Sequence, residues 1–97
     1  MAHDADVAHL DLLHALILEQ RDMVSRRASE FRDARERHTL RRLRYDILVR
    51  RDLHNDEDEL ELDGLAEVMH AAERELVREE RILEALEAER SDWTRGR

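Results

Sequence analysis

Hydrophobic side chains recur every seven residues along the first half of the chain. Counting from Leu10, five of the seven positions up to residue 52 are apolar. This series is Leu10, Ile17, Val24, Phe31, His38, Tyr45 and Asp52. A second series contains Leu13, Ala34 and Leu48, with polar interruptions at Gln20, Arg27 and Arg41. Two such series are typical of a helix that packs lengthwise against another helix.

The same pattern returns in the second half of the chain. One series contains Leu62, Met69, Leu76 and Leu83, and the other contains Leu65, Ala72, Leu86 and Trp93, interrupted by Glu79. We predict helices over about 6–53 and 61–92, the second capped by Asp63 or an earlier acidic residue. Residues 54–60 are predicted to form an acidic turn, because Asn and Asp favour turns. Continuity of the first helix through 25–29 is left open.

We therefore predict an all-α fold, a long antiparallel helical hairpin with coiled-coil packing in a single domain over 1–97. A reversal at residues 57 and 58 pairs residues whose numbers add up to about 115 to 117. Trp93 then lies near Val24, and Leu86 lies near Phe31. Apolar residues meet apolar residues throughout this register.

In that register the first helix extends past the second by about fifteen residues. The extension is apolar, and we expect it to bind another molecule because such a surface is unfavourable in water. A homodimer, forming a dimeric helical bundle, is the leading interpretation. Docking on a different protein is the alternative. The predicted interface residues are Val7, Leu10, Leu13, Ile17, Val24 and Phe31.

Charge is distributed unequally between the two halves. Residues 20–51 carry eleven arginines and five acids, whereas residues 52–92 carry sixteen acids and four arginines. We expect the basic helix to lie against the acidic one within the same chain. The overall charge of −8 disfavours nucleic acid as a partner. We expect no membrane span and no export signal, and hence a cytoplasmic protein.

Few residues suggest chemistry. Glu67 and His70 have a spacing found in di-iron bundles, but both point away from the predicted seam. His38 lies on the seam, where it either fixes the register or responds to pH. No catalytic triad, phosphate-binding loop or cysteine occurs. We expect no cofactor and no metal, and an enzyme is the less favoured class.

Two stretches resemble known families. "RRDLHND" with "MHAAERELVREERILEALEAE" resembles the coiled-coil hairpin of Gre-type transcript-cleavage factors. That resemblance implies that Asp52 and the acids 56–59 act at a tip that enters RNA polymerase and helps to hold a metal. The match needs an insertion between its two parts, and the family's second globular domain has no counterpart here.

"LILEQRDMV" with "DARERHTLRRL" resembles the first two helices of small helical chorismate mutases. Arg21 and Arg32 would then be two of the cationic residues, but the first-helix arginine and the late glutamine of that family are not found. We adopt neither family for the chain.

The sequence as a whole favours a non-enzymatic interaction or regulatory module whose partner is another protein. The predicted target contacts are Arg41, Arg42, Arg44, Asp56, Glu57, Asp58 and Glu59. A transcription regulator with an acidic tip is the alternative. A helical enzyme of the chorismate-mutase type, or a carboxylate and histidine metal bundle, comes third.

Overall fold

The computed structural model describes the backbone of residues 3–96 and the side chains of residues 6–96. It contains two long helices, α1 (His3–Arg50) and α2 (Asp56–Arg95). The described part of the chain contains no strand. The prediction of an all-α helical hairpin is confirmed. Helix α1 continues without interruption through residues 25–29, which the sequence left open.

Asp52, two residues after the last residue of α1, has a left-handed conformation with a φ of 55°. The Leu53 N–H donates to the Leu48 carbonyl at 2.8 Å, and the Asp52 N–H donates to the Val49 carbonyl at 3.2 Å. This pair of hydrogen bonds is the Schellman motif, which satisfies carbonyls at the end of a helix. Aspartate tolerates the left-handed conformation better than most residues do, so the helix stops here without a glycine.

Helix α2 begins with a reciprocal cap between Asn55 and Asp58. The Asn55 side-chain oxygen accepts the Asp58 N–H, and the Asp58 carboxylate accepts the Asn55 N–H, both at 3.0 Å. Acids over 56–59 form the first turn, where the helix dipole favours negative charge. The predicted turn over 54–60 is misplaced, because the acids over 56–59 are helical. The cap is not at Asp63 but at Asn55, with an earlier acidic residue, Asp58, as its reciprocal partner.

The two heptad series of each helix face inward, as predicted. Along α2, Met69, Leu76 and Leu83 are half-buried, whereas Glu67 and His70 are exposed. Only Leu13, Ile17 and Ala34 are buried hydrophobic residues among the described side chains. A two-helix seam thus shields a narrow line of side chains and leaves both flanks in water.

The chain divides into two compact units. Unit 1 comprises Met1–Arg26 and Val77–Arg97, and unit 2 comprises Arg27–Leu76. Each unit contains one segment of α1 packed against one segment of α2. Unit 1 contains the two most deeply buried residues, Ile17 and Leu13. Unit 2 contains the turn and most of the arginine-rich sequence.

The pairing register differs from the predicted one. His9 stacks on Trp93 in unit 1, and Arg41 binds Glu61 in unit 2. The residue numbers of each pair add up to 102, not to 115 to 117. The prediction that Trp93 lies near Val24 is wrong, because the chain reverses about six residues earlier than expected. The predicted overhang of fifteen residues is wrong for the same reason.

Candidate interaction surfaces

The predicted interface residues of unit 1 mostly face α2 within the same chain. Ile17 has no exposed surface and Leu13 is 5% exposed. Leu10 and Val24 are half-buried, and Val7 is 56% exposed. The expectation that this stripe lacks a partner inside the chain is wrong. The apolar residues of α1 that remain accessible in unit 1 therefore lie beside this stripe.

A part-buried polar contact between Gln20 and Glu79 crosses the seam of unit 1. The Gln20 Nε2 donates to the Glu79 carbonyl at 2.9 Å and to the Glu79 Oε2 at 2.6 Å. Both residues occupy heptad positions that the sequence showed as interruptions. The Glu79 Oε1 also lies 3.5 Å from the Arg78 guanidinium, so Gln20 supplies the contact of this carboxylate that depends on the register.

The far end of unit 1 is closed by an aromatic contact. The rings of His9 and Trp93 stack with their centroids 3.8 Å apart, and the Trp93 Nε1 donates to the Glu89 Oε1 at 3.2 Å. The sequence reading placed Trp93 on the seam correctly, but it assigned the wrong neighbour.

Exposed leucines remain on α1 beside the seam of unit 1. Leu12 is 69% exposed and Leu16 is 49% exposed. Leu16 also forms part of a groove whose other lining residues are Glu19, Gln20, Asp22, Met23, Arg26, Ile82 and Leu86. We call Leu12, Leu16 and Glu19 the leucine edge. Apolar side chains that line an open groove beside charged ones are characteristic of a docking surface.

Ion pairs join the basic segment of α1 to the acidic α2. In unit 2, Arg41 binds Glu61 at 3.1 Å and Arg44 binds Asp58 at 2.9 Å. In unit 1, Arg21 binds Glu87 at 3.3 Å. The predicted intramolecular complementarity is confirmed by these contacts. Because Arg21 and Glu87 are both well exposed, such a pair contributes about 0 to 1 kcal/mol and mainly selects the partner helix.

The arginines of unit 2 also line a groove with apolar walls. Its lining residues are Arg37, Leu40, Arg41, Arg44, Glu61 and Leu65. Leu40 is 60% exposed, so an apolar side chain stands between the basic ones. We call Arg37, Leu40 and Arg44 the arginine edge. Among the side chains of 6–96, Arg37 forms no ion pair, whereas Arg44 has an acidic partner.

The predicted target contacts are not equally available. Arg41, Arg44 and Asp58 are paired across the hairpin, and Arg42 binds Asp46 one turn along its own helix at 3.5 Å. The acids at positions 56, 57 and 59 are exposed. They project from the first turn of α2, directly after the turn of the hairpin. Three of the four predicted tip acids thus remain accessible to another molecule.

Asp58 is held ionised by its surroundings. The hydrogen bond from the Arg44 guanidinium is the main reason that the pKa of Asp58 lies below its usual 3.8, and the Asn55 N–H lowers it further. A lowered pKa means that the ionised carboxylate stabilises the folded chain above pH 3.8. This contribution is lost as the pH falls through the lowered pKa.

We predict that Asp58→Asn destabilises the hairpin at pH 7 and that the difference from the unmodified chain shrinks as the pH falls below 3.8. The amide retains the shape of the cap but removes the charge that Arg44 binds. Urea unfolding followed by circular dichroism between pH 2 and pH 7 measures both effects. Glu57→Gln is the matched control, since it removes an exposed charge from the same helical turn. The prediction would be contradicted if Asp58→Asn lowered the free energy of unfolding by the same amount at every pH.

The residues considered for chemistry are dispersed. Glu67 and His70 are exposed on α2, and His38 is half-buried on the seam of unit 2. In the described part of the chain, no three metal-ligating side chains are grouped so as to hold an ion. Arg21 is paired with Glu87 on the surface, and Arg32 is exposed.

Neither described helix has a stretch long and apolar enough to cross a membrane. Comparisons with protein-family models, with curated proteins and with solved structures find no match to this chain.

Proposed function

We propose that this chain is a non-enzymatic protein-interaction or regulatory module that acts in the cytoplasm through the outer surfaces of its helical hairpin. The observation that supports this most is the exposure of its apolar residues. Among the described side chains, twelve large hydrophobic residues are exposed and three hydrophobic residues are buried. An enzyme of this size needs an enclosed site, whereas an interaction module needs accessible apolar surface.

The surface area supports the same proposal. The chain exposes 7626 Å². A compact monomer of 11.6 kDa exposes about 5,800 Å². The excess of about 1,800 Å² is larger than the roughly 800 Å² that each protein buries in a standard interface. The chain thus has enough surface beyond that of a compact monomer to form an interface of standard size.

The experiment is affinity capture from the native host by the tagged chain, followed by mass spectrometry. Leu16→Ser and Leu40→Ser change exposed residues of the two edges and are expected to retain helicity while losing the captured protein. Leu18→Ser is the matched control, because Leu18 is 52% exposed and belongs to neither edge. Equal capture by all three variants would show that these surfaces do not carry the function.

A transcription regulator that inserts its tip into RNA polymerase is the second candidate, supported by the exposed acids at positions 56, 57 and 59. Capture of polymerase, lost in the variant Asp56→Asn/Glu57→Gln/Glu59→Gln, is the expected result under that reading. Asp58 is left unchanged in this variant because it caps α2. Retention of polymerase by the neutralised tip would rule the candidate out.

A further inference from the structure

We propose that the partner of the hairpin is a second copy of this chain, in which the leucine edge of one copy binds the arginine edge of the other. The inference deepens the proposed function and rests on it, since it names the molecule that the exposed surfaces bind. It differs from the sequence prediction in its residues. The interface lies on α1 beside the seam, and the seam residues such as Ile17 remain inside each hairpin.

The spacing of the two edges selects one orientation. Leu12, Leu16 and Glu19 are separated by four and then three residues. Arg44, Leu40 and Arg37 are separated by four and then three residues when read backwards. Two helices that run antiparallel therefore bring all three positions opposite one another. In a parallel arrangement the spacings are four and three against three and four, so the two leucines in the middle position are out of step by one residue.

The chemistry of the paired positions is complementary in the antiparallel orientation. Leu16 meets Leu40, which are 49% and 60% exposed in the single chain. Glu19 meets Arg37, and among the side chains of 6–96 neither of these two forms an ion pair. Leu12 lies opposite Arg44, whose aliphatic stem provides apolar contact while its guanidinium remains bound to Asp58.

A second copy fits these surfaces better than an unrelated helix does. Each chain carries both a leucine edge and an arginine edge, so each edge of one copy has its complement on another copy without requiring any other molecule. The groove beside Leu40, lined also by Leu65, offers a place for the leucine of the other copy.

The first test uses charge exchange. Glu19→Arg places two arginines opposite each other, and Arg37→Glu places two glutamates there. Each variant alone is expected to dimerise about tenfold more weakly than the unmodified chain, because like charges then meet where the two edges touch. An equimolar mixture of the two variants restores opposite charges between position 19 of one variant and position 37 of the other, and is expected to form the heterodimer. Sedimentation equilibrium with one variant labelled by ¹⁵N and native mass spectrometry measure these species.

The second test uses the absence of cysteine from the sequence. The variants Leu16→Cys and Leu40→Cys are mixed in equal amounts and mildly oxidised. Random pairing would give twice as much mixed disulfide as each of the two symmetric disulfides. We expect the mixed disulfide to exceed that ratio clearly. Leu18→Cys mixed with Leu40→Cys is the matched control and is expected to remain near the random ratio. Circular dichroism of every variant verifies that the helices are intact.

Each outcome decides the proposal. Dimerisation that neither charge variant weakens, or a preferred disulfide between two copies of Leu16→Cys, would overturn this pairing. A chain that is monomeric at tens of micromolar overturns self-association altogether. If that monomer still captures a foreign protein through Leu16 or Leu40, the proposed function stands and only the identity of the partner is wrong. If nothing is captured either, both proposals fail.

Discussion

Replacing Ile17 by alanine is expected to lower the free energy of unfolding by about 2 to 5 kcal/mol. Ile17 is the one described side chain of its size that is fully buried, and it lies in a unit with few other buried residues. Removing its outer carbons leaves a cavity that the two straight helices cannot easily close. A domain of this length has about 5 to 15 kcal/mol of stability in total, so the loss is a large fraction of it.

Urea unfolding monitored by circular dichroism at 222 nm measures this effect. Leu18→Ala is the matched control, because Leu18 is the next residue on the same helix and is 52% exposed. It is expected to change the stability by no more than about 0.5 kcal/mol. Equal losses for the two substitutions would mean that the seam of unit 1 does not pack as described.

The heptad pattern predicted the elements of this fold and the faces they bury. Met69, Leu76 and Leu83 are inward and Glu67 is outward, as the spacing of seven indicates. The reason is that a seam between two helices leaves the same heptad positions inside along its whole length. The heptad spacing of apolar residues thus predicts which side chains are buried in a fold of this kind.

The position of the turn could not be obtained from the same pattern. The acids over 56–59 fit a solvated turn by composition, but acids are equally favoured in the first turn of a helix, where the structure has them. The motif that could have located the turn is Asn55 followed three residues later by Asp58, which is the sequence form of a reciprocal cap. Asp52 gave no comparable signal, because a glycine normally marks a left-handed helix end.

The candidate surfaces were predicted only in part. A search for heptad positions finds Leu10, Leu13 and Ile17, and these are the residues that the hairpin covers for itself. Leu16 and Leu40 lie beside the seam and are exposed. In the sequence these two residues stand out only as leucines beside a heptad series that is already complete. Whether α2 covers them depends on the pairing register, so the sequence alone could not identify them as exposed.

The error in register has a physical origin that leads to a further prediction. Heptad seams match equally well when the pairing is shifted by two heptads, because apolar positions again meet apolar positions. The predicted and the observed registers differ by about that amount. Something other than leucine spacing must therefore select between them. Gln20 and Glu79 are suited to this role, since they meet in the observed register. In the predicted one, Glu79 would face His38 instead.

We expect Gln20→Leu alone to lower the free energy of unfolding by about 1.5 to 3 kcal/mol. The reason is that the Glu79 carboxylate, whose side chain is only 12% exposed, loses a hydrogen bond. The double variant Gln20→Leu/Glu79→Leu is expected to be at least as stable as the unmodified chain, since two leucines fill the same layer and leave no polar group without a hydrogen bond. A double-mutant cycle in urea gives the coupling between the two residues.

The double variant is also expected to lose the unique register, which is the stronger test of the role of the pair. Spin labels on Leu18→Cys and Ala88→Cys, both exposed in unit 1, report the separation of the helices along the seam. A shift of two heptads moves a neighbour by roughly 21 Å, at 1.5 Å per residue. We expect one distance in the labelled parent and a second, longer population in the double variant. A single unchanged distance would show that the Asn55 cap and the Asp52 helix end select the register by themselves, and that the polar pair only adds stability.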